Sequence, residues 1–276
     1  MASDEDDARG ATWPIKAYKN PRFLASRDAR SVRMLAEFEE PRSRFDRLAI
    51  SDTIVFFGSA RTLPRDVAAE RLDAARRHGG DVAAAERDLA MARYYEDARA
   101  LAGRLTEWSK GLKDTHRRFV VCTGGGPGIM EAANRGASEA KGMNIGLNIS
   151  IPHEQHENPF ITRELTFEFH YFFMRKFWFV YLAKAIVIFP GGYGTLDEFF
   201  EVLTLVQTRK LRKPMAVVLY GTPYWDEVMN LDAMVKHGTI DPADLELFKR
   251  ADSVDEAFDY ITAHLEKALP LPGASL

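Results

Sequence analysis

The sequence has one cysteine, Cys122, in 276 residues, which excludes an intrachain disulfide and any cysteine-cluster metal site. It also lacks a long hydrophobic run. The most apolar region, Phe177 to Phe189, is broken by Lys184 and is too short to span a bilayer. Charge excess is missing too: the net charge is −3, and Asp4, Glu5, Asp6 and Asp7 account for more than all of it. A near-neutral body gives no footprint for nucleic acid and no polybasic membrane anchor. The acidic start, Met1 to Arg9, has no apolar segment of the secretory kind. A soluble cytoplasmic protein is therefore expected, with no nucleic-acid or membrane partner. What remains is a globular composition, 46% hydrophobic and 11% aromatic, with enough apolar side chains for a sizeable core.

Residues 1 to about 25 mix charge with Pro14 and Pro21 and read as a mobile or draped tail. The remainder, 26–276, reads as one domain that begins with a helix. That helix is expected over Asp28 to Glu40, with Pro41 stopping it. Thr53 to Phe57 is a continuous apolar run of the kind buried on both faces of a sheet. Two helices should follow, from about Pro64 to Arg77 and from about Asp81 to Ser109. Beyond them strand and helix alternate. Strands are expected at Phe119–Cys122, Asn144–Ile151, Leu165–Phe169, Ala185–Phe189 and Met215–Tyr220. Helices are expected near 128–141, 172–183, 195–208, 225–236 and 254–268. This alternation predicts an α/β fold, a doubly wound and mostly parallel sheet with helices on both faces.

Two glycine-rich turns each join a buried strand to a helix: Thr123-Gly-Gly-Gly-Pro-Gly128 and Pro190-Gly-Gly-Tyr-Gly-Thr195. Glycine permits close backbone approach to a ligand, and a helix N-terminus offers free N–H groups to an anion. In open α/β sheets both turns lie on the carboxyl edge of the strands, where ligands collect. Gly125, Gly126, Gly191, Gly192, Gly194 and Thr195 are therefore candidates to bind a nucleotide or phosphate. Plain turn chemistry remains the alternative, and neither turn fits the dinucleotide or P-loop pattern.

Glu198 follows Thr195 by three residues, which suits either a capping box or a carboxylate facing the sugar of a bound nucleotide. Arg175 and Lys176 interrupt an aromatic run. Lys176 suits a surface or ion-pair role, and Arg175, with its planar fork, suits a ligand. Ser59 and Arg61 share the strand edge, and Glu131 and Asn134 lie one and two turns into the helix after the first glycine turn. His153 and His156 lack a third ligand at metal-site spacing, and no metal is expected. Cys122 reads as a small buried side chain. The aromatic run from Tyr171 to Tyr181 carries more apolar surface than one sheet face covers, which predicts a homodimer or larger homo-oligomer.

At residues 123–137, at Met174-Arg-Lys176 and at Pro190-Gly-Gly-Tyr-Gly-Thr-Leu-Asp-Glu198, the chain resembles the LOG (Lonely guy) family. These are cytokinin riboside 5′-monophosphate phosphoribohydrolases, long labelled possible lysine decarboxylases. The resemblance implies a Rossmann-like fold and hydrolysis of the N-glycosidic bond of a purine nucleoside 5′-monophosphate, cytokinin-type or AMP, without a cofactor. It implies Arg175 and Glu198 as the catalytic pair, and Gly191, Gly192, Gly194 and Thr195 as the phosphate turn. An N-terminal extension and a longer insert between the first two strands set the chain apart from the short plant-type members, and the continuation of the first glycine turn as Gly-Ile-Met-Glu-Ala-Ala-Asn resembles the longer bacterial members. Two alternatives remain: a nucleotide-binding sensor without turnover, and a pyridoxal-phosphate decarboxylase, which would need a Schiff-base lysine such as Lys176 or Lys184 beside the phosphate.

Overall fold

The structure, a computed structural model, describes residues 14–112, 117–149 and 158–267. By compactness the chain divides between Ser43 and Arg44, whereas the sequence expectation set a boundary near residue 25. The first unit holds a short helix, α1 (Pro21–Leu24), and most of α2 (Arg30–Arg47). The second unit carries the sheet. Its elements are β1 (Thr53–Phe57), α3 (Arg65–His78), α4 (Val82–Gly111), β2 (Val120–Thr123), α5 (Ile129–Glu139), β3 (Asn144–Ile149), β4 (Thr166–Phe169) and α6 (Phe172–Tyr181). These are followed by β5 (Ala183–Ile188), α7 (Tyr193–Gln207), β6 (Ala216–Tyr220), α8 (Thr222–Val228), α9 (Leu231–Lys236), β7 (Lys249–Ala251) and α10 (Val254–Glu266).

The strands form one parallel sheet in the order β4-β3-β2-β1-β5-β6-β7. The chain winds outward from β1 through β2 and β3 to β4, then returns to lay β5 on the other side of β1. This is the Rossmann-like arrangement, with its topological switch between β1 and β5. Strands β1, β2 and β6 are buried along their whole length because helices cover both faces. Ile54 and Phe56 join the core formed with Tyr95, Leu101 and Leu105 of α4, Ile129 of α5 and Ile261 of α10. Phe57 points to the opposite face. There it meets Phe179 of α6 edge-to-face, with ring centroids 4.9 Å apart.

Three expectations need correction. Pro41 does not end its helix; α2 runs on to Arg47. A proline inside a helix removes one N–H bond, but the turn beyond it is anchored by tertiary contacts. Arg44 Nη1 donates to the Thr166 carbonyl at 3.0 Å, and Phe45 packs against Trp178. The single helix expected near 225–236 is two helices, because Met229 is extended and the Asn230 side chain caps α9 by accepting the Ala233 N–H at 2.9 Å. The sheet also gains β7, a three-residue edge strand beginning Lys249-Arg250, which carries no apolar pattern to announce it. Of the expected third strand, residues 150 and 151 lie outside the described residues, as do His153 and His156.

The start of α5 is set by Gly128, whose φ of 71° lies in the region that favours glycine. A Cβ there would overlap the Ser59 carbonyl oxygen and the Ala60 backbone. Gly128→Ala is expected to destabilise the protein by about 2–4 kcal/mol through backbone strain and overpacking. An unchanged urea midpoint for this variant would overturn that account.

Candidate active site

At the carboxyl edge of the sheet β1 runs into Gly58-Ser59, β2 into Gly124–Gly126 and β5 into Pro190–Gly192. Ser59 joins the three. Its N–H donates to the Pro190 carbonyl at 2.9 Å, and its carbonyl accepts the Ile129 N–H at 3.1 Å. Its hydroxyl oxygen accepts the Arg61 N–H at 3.1 Å. A cleft of about 1560 Å³ opens over this edge, at the switch between β1 and β5. Ser59, Arg61, Gly125 and Gly126 line it from one side. Gly191, Gly192, Gly194, Thr195, Arg175 and Glu198 line it from the other.

The second glycine turn leads into α7 two residues earlier than the sequence suggested. Gly192 is the N-cap and offers no side-chain cap, and the Leu196 N–H is bonded to the Gly192 carbonyl at 3.0 Å. The N–H groups of Tyr193, Gly194 and Thr195 thus form an uncapped first turn beside the cleft. Thr195 is the third helical residue rather than the cap, so the capping box of Thr195 and Glu198 does not form. Tyr224 of α8 braces the turn by donating its hydroxyl to the Gly191 carbonyl at 2.9 Å.

Glu198 lies one turn inside α7 and is only 4% exposed. Its Oε2 is buried without a hydrogen-bond partner. Burial pushes the Glu198 carboxyl up to about 7; the Lys176 and Arg175 charges oppose that rise, and Glu201 and Asp197 add to it. Lys176 itself binds Asp197 at 2.7 Å and Glu201 at 2.8 Å, the ion-pair role expected of it. Arg175 sits between aromatic faces, its guanidinium carbon 4.6 Å from the Phe172 ring centroid and 5.5 Å from that of Phe179. Lys213 holds the end of this helix, donating to the Val180 and Tyr181 carbonyls at 2.7 and 2.6 Å.

Two expected site residues lie elsewhere. Asn134 is fully buried behind the first glycine turn, where it accepts from Thr123 Oγ1 at 2.6 Å and donates to Asn144 Oδ1 at 2.9 Å. Glu131 accepts the Tyr95 hydroxyl at 2.6 Å, and neither residue lines the cleft. Conversely, Asn148, Asn158, Glu168 and Tyr224 line it without having been singled out in the sequence. Tyr224 was findable: it follows a strand that neighbours β5 and ends at the same edge. Cys122 is buried, as expected, and its burial pushes the thiol up. No lysine is among the described residues that line the cleft, so its walls do not fit a Schiff-base cofactor. Lys184 stands near the start of β5, 3.7 Å from Asp52. No helix among the described residues is long and apolar enough to cross a membrane.

The raised Glu198 value has a consequence for stability. The folded state keeps the proton up to about pH 7, whereas the unfolded chain releases it near 4.5. Stability therefore falls as pH rises between those values and then levels off. Glu198→Gln removes this loss. Its melting temperature relative to wild type should climb between pH 5 and 8, by roughly 5 °C or more. A difference that stays constant with pH would contradict the burial argument.

A family model described as "Possible lysine decarboxylase" matches residues 130–261. The chain is 32% identical over 93 residues to the Arabidopsis thaliana cytokinin riboside 5′-monophosphate phosphoribohydrolase LOG7, covering 30% of this chain and 43% of that relative. It is 33% identical over 81 residues to the probable phosphoribohydrolase of the same name, LOG4, from Oryza sativa subsp. japonica, covering 29% of this chain and 35% of that one. With LOG5 of Arabidopsis thaliana the match is 26% over 157 residues, covering 54% and 65% of the two chains. The chain thus spans less than half the length of the first two relatives. Among solved structures it is similar to the structural-genomics target TM1055, at 19% identity and a TM-score of 0.46, over 77% of this chain and 99% of that one. The Moco carrier protein of Chlamydomonas reinhardtii follows at 19% and 0.45, over 78% and 99%. The family match, the curated relatives and the three motifs make the chain similar to the LOG family over part of its length.

Proposed function

We propose that the protein is a nucleoside 5′-monophosphate phosphoribohydrolase, which splits purine nucleotides of the AMP or cytokinin type into free base and ribose 5-phosphate. One observation carries this reading: the buried, unpartnered carboxylate oxygen of Glu198 lies one turn inside an uncapped helix N-terminus and faces the same cleft as Arg175. The names of the curated relatives support it.

The 5′-phosphate binds the N–H groups of Tyr193, Gly194 and Thr195 at the positive end of α7. Holding the phosphate there fixes the ribose beside Glu198. As the bond from C1′ to the purine nitrogen lengthens, its electron pair moves to the base and positive charge builds on the sugar. Ionised Glu198 stabilises that charge, and Arg175 faces the negative charge on the leaving purine. Water supplies hydroxide to C1′ and a proton to the base, so the atoms balance without any redox change.

Chromatography for adenine after incubation with AMP tests the reaction, and adenosine, lacking the phosphate, should be a much poorer substrate. Since the anion of Glu198 is the working form, kcat/KM should rise with pH to a plateau above about 7. Glu198→Gln should lower kcat by about 10²-fold with the fold intact. Arg175→Lys, which keeps charge but loses the fork, should also be severely impaired. AMP binding without any release of adenine would leave the nucleotide-sensor reading instead.

A second copy of this chain is the proposed partner. Phe172, Phe173, Phe177 and Tyr181 of α6 and Tyr193 and Phe200 of α7 are all exposed, Tyr193 at 95%. Apolar surface of this extent supports a homo-oligomer. Light scattering at micromolar concentration should give at least the dimer mass; a monomer mass would refute it.

A further inference from the structure

Beyond the glycine turns the cleft reaches the edge formed by β3 and β4. There Asn148 and Glu168 are register partners on neighbouring strands, and both line the cleft. The Asn148 amide nitrogen donates to the Phe167 carbonyl at 2.9 Å. That bond fixes which way the amide faces. Turned over, it would set two carbonyl oxygens against each other and lose the hydrogen bond.

The Asn148 carbonyl oxygen is thereby held toward the first glycine turn, in the space that a Cβ on Gly125 would occupy. The Gly125 N–H is already taken by Thr123 Oγ1 at 2.9 Å, so it does not satisfy this acceptor. No described residue donates to it. On the same glycine turn, Arg175 Nη1 lies above Gly124, 3.8 Å from where that residue's Cβ would be. This end of the cleft therefore presents a fixed acceptor.

Position along the sheet edge says which part of a ligand that acceptor meets. The phosphate turn follows β5, and β1 and β2 separate it from β3. Three strand spacings make about 14 Å, so Asn148 stands at the far end of the cleft from the phosphate turn, the end toward which the base of a phosphate-anchored nucleotide extends. Along its N7 edge adenine offers an acceptor at N7 and a donor at the 6-amino group, whereas a 6-oxo purine offers two acceptors. Resting on the reading under Proposed function, we propose that Asn148 is the base-reading residue. Its fixed oxygen accepts the 6-amino N–H of adenine-type nucleotides and repels the oxygen of 6-oxo purines. One remaining N–H suffices, so N6-monosubstituted bases fit and N6,N6-dialkylated ones do not.

The test compares AMP, IMP and N6,N6-dimethyl-AMP. Wild-type kcat/KM should favour AMP over both of the others by about 10²-fold or more, because a site built to receive a hydrogen bond rejects analogues that lack it. In Asn148→Ala the AMP value should fall at least tenfold while that for IMP stays within a few-fold. Equal wild-type values for AMP and IMP, or an unchanged ratio in Asn148→Ala, would overturn the assignment and leave the hydrolase reading standing. If none of the three is hydrolysed, the hydrolase reading fails. Calorimetric binding of AMP against IMP to wild-type protein then decides the role of Asn148: preference for AMP supports it, and equal binding or no binding overturns it.

Discussion

The backbone of Ser59 is the joint on which the site depends. Its N–H binds the Pro190 carbonyl and its carbonyl binds the Ile129 N–H, so the end of β1 is tied to both glycine turns at once. The switch in strand order opens a gap between the connections that leave β1 and β5, and these two bonds set its width. They also separate two turns that look alike in sequence. The first N–H of α5 is taken up by Ser59, and the Gly125 N–H by Thr123. The first turn is thus a packed corner, whereas the first N–H groups of α7 are left without a side-chain cap.

That uncapped terminus lies next to an electrostatic conflict. Glu198 is buried where a carboxylate is poorly solvated, and the nearest lysine is shared. Lys176 binds Asp197 and Glu201, which stand on either side of Glu198 along α7, so its charge offsets two other carboxylates as well. The field of Lys176 therefore falls short of reversing the effect of burial, and the Glu198 proton is held close to neutrality. Natural cores rarely tolerate such a group without a partner. In the proposed reaction, a cationic sugar formed transiently beside it is the partner whose charge matches.

The sheet and both turns were legible because apolar runs bounded by glycine have few other uses. Less legible was the rotation of α5 about its own axis. Glu131 and Asn134 are three residues apart after a glycine turn, which placed them near the cleft, yet one meets Tyr95 and the other faces the sheet. The alanines at 132, 133 and 137, all buried, mark the packed side and are the signal that Asn134 belongs to it. Pro41 misled for another reason: a local helix breaker was outweighed by what Arg44 and Phe45 bind beyond it. The walls supplied by Asn148, Glu168 and Tyr224 come from elements distant in sequence, and only the strand order brings them to one edge.

Helix α6 shows why an arginine can stand in so aromatic a segment. Trp178 and Phe179 are buried and fix the helix against the sheet. Lys213 closes its last turn, adding positive charge where the helix dipole is negative. The position of Arg175 is then set by a rigid helix rather than a loop, and the rings of Phe172 and Phe179 limit its swing. Aromatic faces orient a guanidinium through its planar face. The residues that make this stretch unusually apolar are therefore the ones that hold a cation in place beside the cleft.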